Sequence, residues 1–184
     1  MPIYSIKMLL LALLRELQRV WKLDGDRSCE ATVANAARLL GETLDGVETE
    51  GDLNTVWEDP LGVRCPPPPP SMRPSAAEVS AQCPMLTTLA TLLLKNEVFE
   101  ALPWKAPGHS AQMAEGFSKA MGRELKLKSA MLIGDPGFGA LIESNRYFVG
   151  VMHLAPDAYY PPHCHDAEEF YHVIGGRANV LLTN

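Results

Sequence analysis

The residues with the most chemistry per length lie in YYPPHCHDAEEFYHVIGG, Tyr159 to Gly176, which holds three of the chain's five histidines. On an extended strand, residues two apart point to the same side. His163 and His165 are therefore expected to face one way, with Cys164 opposite. After a turn near Asp166 and Ala167, Glu169 and Tyr171 again share a face, with Phe170 and His172 on the other. If the two strands pair antiparallel, both sets converge on one pocket. Two imidazoles and a carboxylate are the donors that borderline divalent ions prefer, which makes iron, manganese, zinc or nickel the candidate cofactors. A hairpin that is merely polar is the plainer alternative, but HxHxxxE has the periodicity of a ligand set. His172 is expected to point away from the site, and His109 lies in the helical half. His153 belongs to a preceding strand whose orientation is not fixed.

The elements that must position these groups change character along the chain. Residues 1–125 read as a helical region with a Pro-rich connector near 60–74, and residues 126–184 as strand and turn. In the first helix Ile6, Leu9, Leu10, Leu13, Leu17 and Val20 recur at helical spacing, on the core or at a dimer interface. In DGDRSCEATVANAARLLG, Val33, Ala36, Ala37 and Leu40 are in phase and Gly41 reads as a stop. Pro66 to Pro70 suits an extended polyproline connector. Ser75 and Glu78 have capping-box spacing, and Pro84 should break or kink the chain beyond that helix. MLTTLATLLLKNEVFEAL carries Leu86, Leu89, Leu93 and Val98 on an apolar face, and a further helix fits HSAQMAEGFSKAMG. After Leu125, KSAMLIGD, GALIESNRYFVGVMHLAP, EFYHVIGG and RANVLLTN have strand composition, separated by turns such as DPGFG. Helices first and at least five short strands afterwards indicate an α+β chain with an antiparallel sheet, sandwich or barrel.

Composition narrows the function classes. The chain has 184 residues, 47% apolar and 21% charged, with a net charge of −6. That charge argues against nucleic-acid or anionic-membrane surfaces, which favour basic patches. The apolar run near the N-terminus meets Arg15 and Glu16, lacks a small-residue cleavage site, and is too short to cross a bilayer. Cys29, Cys65, Cys83 and Cys164 show no framework spacing, which fits free thiols in a reducing cytoplasm.

HCHDAEEFYHVIGG resembles the first cupin motif, HxHxxxE followed after six residues by a glycine, here Gly176. Cupins are small jelly-roll β-barrels holding one metal, so the resemblance implies a cupin-type antiparallel barrel after the helical region. The longer stretch is similar to the cupin-type dimethylsulfoniopropionate (DMSP) lyases of marine bacteria. The shared elements are Tyr160 three residues before the first histidine, the Ala167–Glu169 triplet, and Tyr171 two residues after the ligand glutamate. The resemblance implies that His165, Glu169 and Tyr171 approach the metal and that Tyr160 and His163 line the substrate pocket. His163 is also a metal ligand if the general cupin pattern holds, and the two roles stay open.

The implied activity is a carbon–sulfur lyase, a dimethylpropiothetin dethiomethylase, with Tyr171, Tyr160 and His163 as catalytic residues. Its substrate is a small zwitterion with a carboxylate at one end and a dimethylsulfonium at the other. A metal beside a tyrosine, whose ordinary pKa is about 10, favours the phenolate that could take the α-proton. The sulfonium would prefer aromatic faces, with Tyr159, Tyr160, Tyr147, Phe148 and Trp104 as candidates. A homodimer, through the first helix, is the remaining partner expectation. No histidine follows His172, whereas a cupin barrel continues through further strands and supplies another histidine; truncation is therefore expected, and the chain's activity with it is in question. The competing functions are another cupin enzyme, such as an iron dioxygenase, and a non-catalytic ligand-binding cupin.

Overall fold

The computed structural model describes residues 3–28, 31–47, 65–105, 119, 126–136, 139–158, 160, 166 and 168–179. His109, Tyr159, His163, Cys164 and His165, and the helix expected in HSAQMAEGFSKAMG apart from Lys119, lie outside them. The architecture is α+β. The described residues fall into two compact units that interleave in sequence, one drawn from Met1–Glu48, Arg73–Val98 and Asp166–Asn184, the other from Thr49–Met72 and Phe99–His165.

The first unit is built on a helical hairpin, α1 (Ile3–Ser28) against α2 (Ala31–Asp45). Leu10, Leu13, Leu14, Val20 and Trp21 of α1 and Val33, Ala37, Leu40 and Leu44 of α2 are buried, the stripe expected of an amphipathic pair. Gly41 does not stop α2. A Cβ there would lie 2.4 Å from Gln18 Nε2, so the glycine serves the close approach of α1 and the helix continues to Asp45. No helix among the described residues is long and apolar enough to cross a membrane.

Two short helices complete this unit. α3 (Ala76–Gln82) opens on the expected capping box: Ser75 N–H donates to Glu78 Oε2 at 2.6 Å and Glu78 N–H donates to Ser75 Oγ at 3.2 Å. Pro84 begins a 3₁₀ turn, after which α4 (Thr87–Leu93) packs on α1 and α3. The single helix expected across residues 85–102 is divided at Leu94–Lys95, with α5 (Asn96–Ala101) following, although Leu86, Leu89, Leu93 and Val98 are all buried as their phase required.

The second unit contains the sheet: β1 (Trp104–Lys105), β2 (Leu127–Gly134), β3 (Ile142–Glu143) and β4 (Val149–Leu154). β2 is central and pairs with all three others. It runs antiparallel to β1 (Trp104↔Ala130) and to β4 (Leu127↔Leu154 through Ile133↔Val149), but parallel to β3 (Ile133↔Ile142). The wholly antiparallel sheet is thus corrected to a mixed one, open rather than closed among the described residues. Gly134, at the end of β2, and Gly139, before β3, have φ of 150° and 73°, conformations that favour glycine. Leu141 N–H to Leu132 O and Ser144 N–H to Gly134 O secure β3. The proline run leads from Cys65, whose N–H donates to Trp104 O, and Lys128 Nζ donates to Pro66 O at 2.6 Å. Pro70–Met72 form a 3₁₀ turn.

Candidate active site

Residues 168–174 lie in no β-ladder, so the strand expected over EFYHVIGG is instead a stretch of irregular chain. Its side chains nevertheless divide in the way a period of two would divide them. Tyr171 Oη donates to Glu169 Oε2 at 2.6 Å, and both side chains are exposed, Tyr171 at 54%. Phe170 and His172 are half-buried.

The half-buried pair is engaged with the helical hairpin. The Phe170 ring meets the Trp21 indole edge-on, with centroids 5.1 Å apart, and meets the His172 ring the same way at 5.6 Å. Such pairs contribute about 0.5–1.5 kcal/mol beyond the area they bury. His172 Nε2 lies 3.6 Å from Asp24 Oδ2. Burial lowers the pKa of this imidazole, and the Asp24 carboxylate opposes that shift without reversing it. Two residues before Phe170, Glu168 Oε2 accepts from Thr32 Oγ1 at 2.9 Å. At the far end Gly175 sits against Pro74, whose Cγ a Cβ would approach to 2.4 Å. Gly176, the glycine of the motif, has φ of 81°, a conformation that favours glycine.

The remaining groups fall elsewhere. Tyr160 belongs to the second unit and is 38% exposed. His153 lies on β4, with its Nε2 3.2 Å from Met72 O. Trp104 is removed from the aromatic faces available to a sulfonium: it is 1% exposed and donates through Nε1 to Phe99 O at 2.7 Å, a core residue. Phe148 is 60% exposed and offers ring surface for such a contact. Cys65 and Cys83 are free thiols, and burial raises the pKa of Cys65.

The donor set inferred from the motif is therefore described in part. Glu169 and Tyr171 are brought together, and His163 and His165 lie outside the described residues. Among the described residues no three His, Cys, Asp or Glu side chains gather closely enough to hold an ion. The described pair fits one in type: an exposed carboxylate and a phenol oxygen 2.6 Å apart are both hard donors suited to a divalent cation. Sequence inspection missed Trp21, Asp24 and Thr32, which meet the segment from more than a hundred residues away. Nothing in their local sequence signals that role.

A family model described as dimethylsulfoniopropionate lyase matches residues 73–180, more than half of the chain. No curated protein and no solved structure matches it.

Proposed function

This chain belongs to the DMSP lyase family, and through it to the cupin superfamily; we propose that it cleaves DMSP to dimethyl sulfide and acrylate by β-elimination. The observation that supports this most is the exposed Tyr171–Glu169 pair, a phenol already hydrogen-bonded to a carboxylate within the matched region. A jelly-roll barrel is part of the same proposal.

The reaction needs a base at the carbon next to the carboxylate. Tyr171 acts as the phenolate, its own proton having first passed along the hydrogen bond to Glu169 and on to solvent. It takes the α-proton onto Oη, the C–H electron pair becomes the new C=C bond, and the C–S bond breaks with its pair leaving on sulfur. Dimethyl sulfide leaves as a neutral molecule and acrylate keeps the original carboxylate, so the proton on Oη is the only other product. Glu169 accepts the hydrogen bond from Oη, which orients the phenol and offers that proton a route away. A divalent metal such as iron, manganese, zinc or nickel, held by Glu169, Tyr171 and His165 with His163 as a further ligand or as pocket lining, would bind the substrate carboxylate and favour the phenolate. Tyr160 is assigned to the substrate's side by the resemblance of its position.

The test is a closed-vial assay under argon with purified protein, added divalent metal and DMSP. Dimethyl sulfide in the headspace and an equal amount of acrylate in solution are expected. Product that appears only when oxygen is admitted would instead identify an oxygenase.

A further inference from the structure

We propose that the α1–α2 hairpin is a positioning cradle for the catalytic segment, with Trp21, Asp24 and Thr32 holding alternate side chains so that Glu169 and Tyr171 are turned outward together. The segment's catalytic role rests on the function proposed above; the cradle itself rests on contacts within one compact unit.

The contacts alternate along the segment. Thr32 engages Glu168, Trp21 engages Phe170, and Asp24 faces His172. The residues between them, Glu169 and Tyr171, are left exposed and bonded to each other. Trp21 and Asp24 are three apart on α1 and so share a helix face, while Phe170 and His172, whose rings meet edge-on, share the other side of the contact. The register matters because a slip of one residue would exchange the faces, turning Phe170 and His172 outward and burying the proposed base. In a sheet the ladder prevents such a slip. Residues 168–174 have no ladder, so their side chains must do it.

Trp21 carries a second indication. It is 7% exposed, yet its Nε1–H has no hydrogen-bond partner among the described residues. A buried donor left unmatched is costly. The indole is therefore explained by the shape of its ring against Phe170 rather than by its polar atom. The close approach of Pro74 to Gly175 leaves no room for a side chain there and limits sliding at the far end.

The experiment compares Trp21→Phe, Trp21→Leu and Phe170→Leu with the unaltered full chain. Two quantities are read: kcat and KM on DMSP, and the ¹⁹F resonance of Tyr171 in fluorotyrosine-labelled protein, assigned by its loss in Tyr171→Phe. Trp21→Phe keeps a ring and drops the unmatched donor, so it should preserve kcat within about twofold and leave the resonance in place. Both leucine variants should lose roughly tenfold to hundredfold in kcat with KM nearly constant, and the resonance should move toward that of unfolded tyrosine. Phe170→Leu is made at a half-buried position and carries the test if Trp21→Leu does not fold. Wild-type kcat in a folded leucine variant would overturn the cradle. So would a loss that follows only the folded fraction while the Tyr171 resonance stays fixed. Should the unaltered chain release no dimethyl sulfide, the lyase proposal fails, and the resonance alone decides the cradle.

Discussion

The β2–β4 pair and the irregular 168–174 segment are held by different forces. β2 and β4 exchange backbone hydrogen bonds across six paired positions, and the buried faces of Leu127, Ala130, Leu132 and Ile133 back them. The segment carrying Glu169 and Tyr171 lies outside any ladder and depends on a ring, a carboxylate and a hydroxyl presented by two helices. Backbone pairing tolerates most side chains, because nearly every residue type supplies the same N–H and C=O. Side-chain pairing does not. Sheet variants should therefore change how much protein is folded, and segment variants should change what the folded protein does.

The largest effect separates the two regions most sharply. Tyr171→Phe removes one exposed hydroxyl, so the fold should persist, with an unchanged circular dichroism spectrum and melting midpoint. Loss of the base should lower kcat by about 10²–10⁴-fold. Full activity in this variant would remove tyrosine from the mechanism. The converse case is Leu132→Ala on β2, at 2% exposure. It should cost about 2–5 kcal/mol in denaturant unfolding while kcat per folded molecule is kept. A selective loss of kcat there would erase the distinction between the regions.

The same division separates the features legible in the chain from those that were not. The Ser75–Glu78 capping box spans four residues and depends on local geometry, so spacing alone located it. The separation of Glu169 and Tyr171 from Phe170 and His172 was also accessible, because the alternation that a period of two implies is kept here although no ladder forms. The ladder itself was not accessible, since a partner strand is a tertiary fact. Gly41 looked like a helix stop because its actual reason is Gln18 on the neighbouring helix. Trp104 looked like a pocket aromatic until its burial and its bond to Phe99 placed it in the core. Thr32 and Glu168 are 136 residues apart, and no spacing rule connects them. His163 and His165 lie outside the described residues, so their part in the site rests on the motif.

The smallest effect provides a control far from the proposed chemistry. The Ser75 backbone N–H, and then its side chain, lower the pKa of the Glu78 carboxyl. Because the folded value lies below the unfolded one, the stabilisation is present above the unfolded pKa and is lost as pH falls through the folded value. Under acid titration the melting midpoint should therefore drop slightly less in Glu78→Gln than in the unaltered chain. An identical or steeper drop in the variant would mean that the cap does not contribute in solution.

The central claim is that Glu169 and Tyr171 act as one unit, and a double-mutant cycle on kcat/KM for DMSP tests it most directly. Glu169→Gln, Tyr171→Phe and the double variant are compared with the unaltered chain in the presence of divalent metal. Groups that work as a unit are strongly non-additive, so each single variant should lose nearly as much as the double. Losses that simply multiply, or a single variant that retains full turnover, would contradict the account.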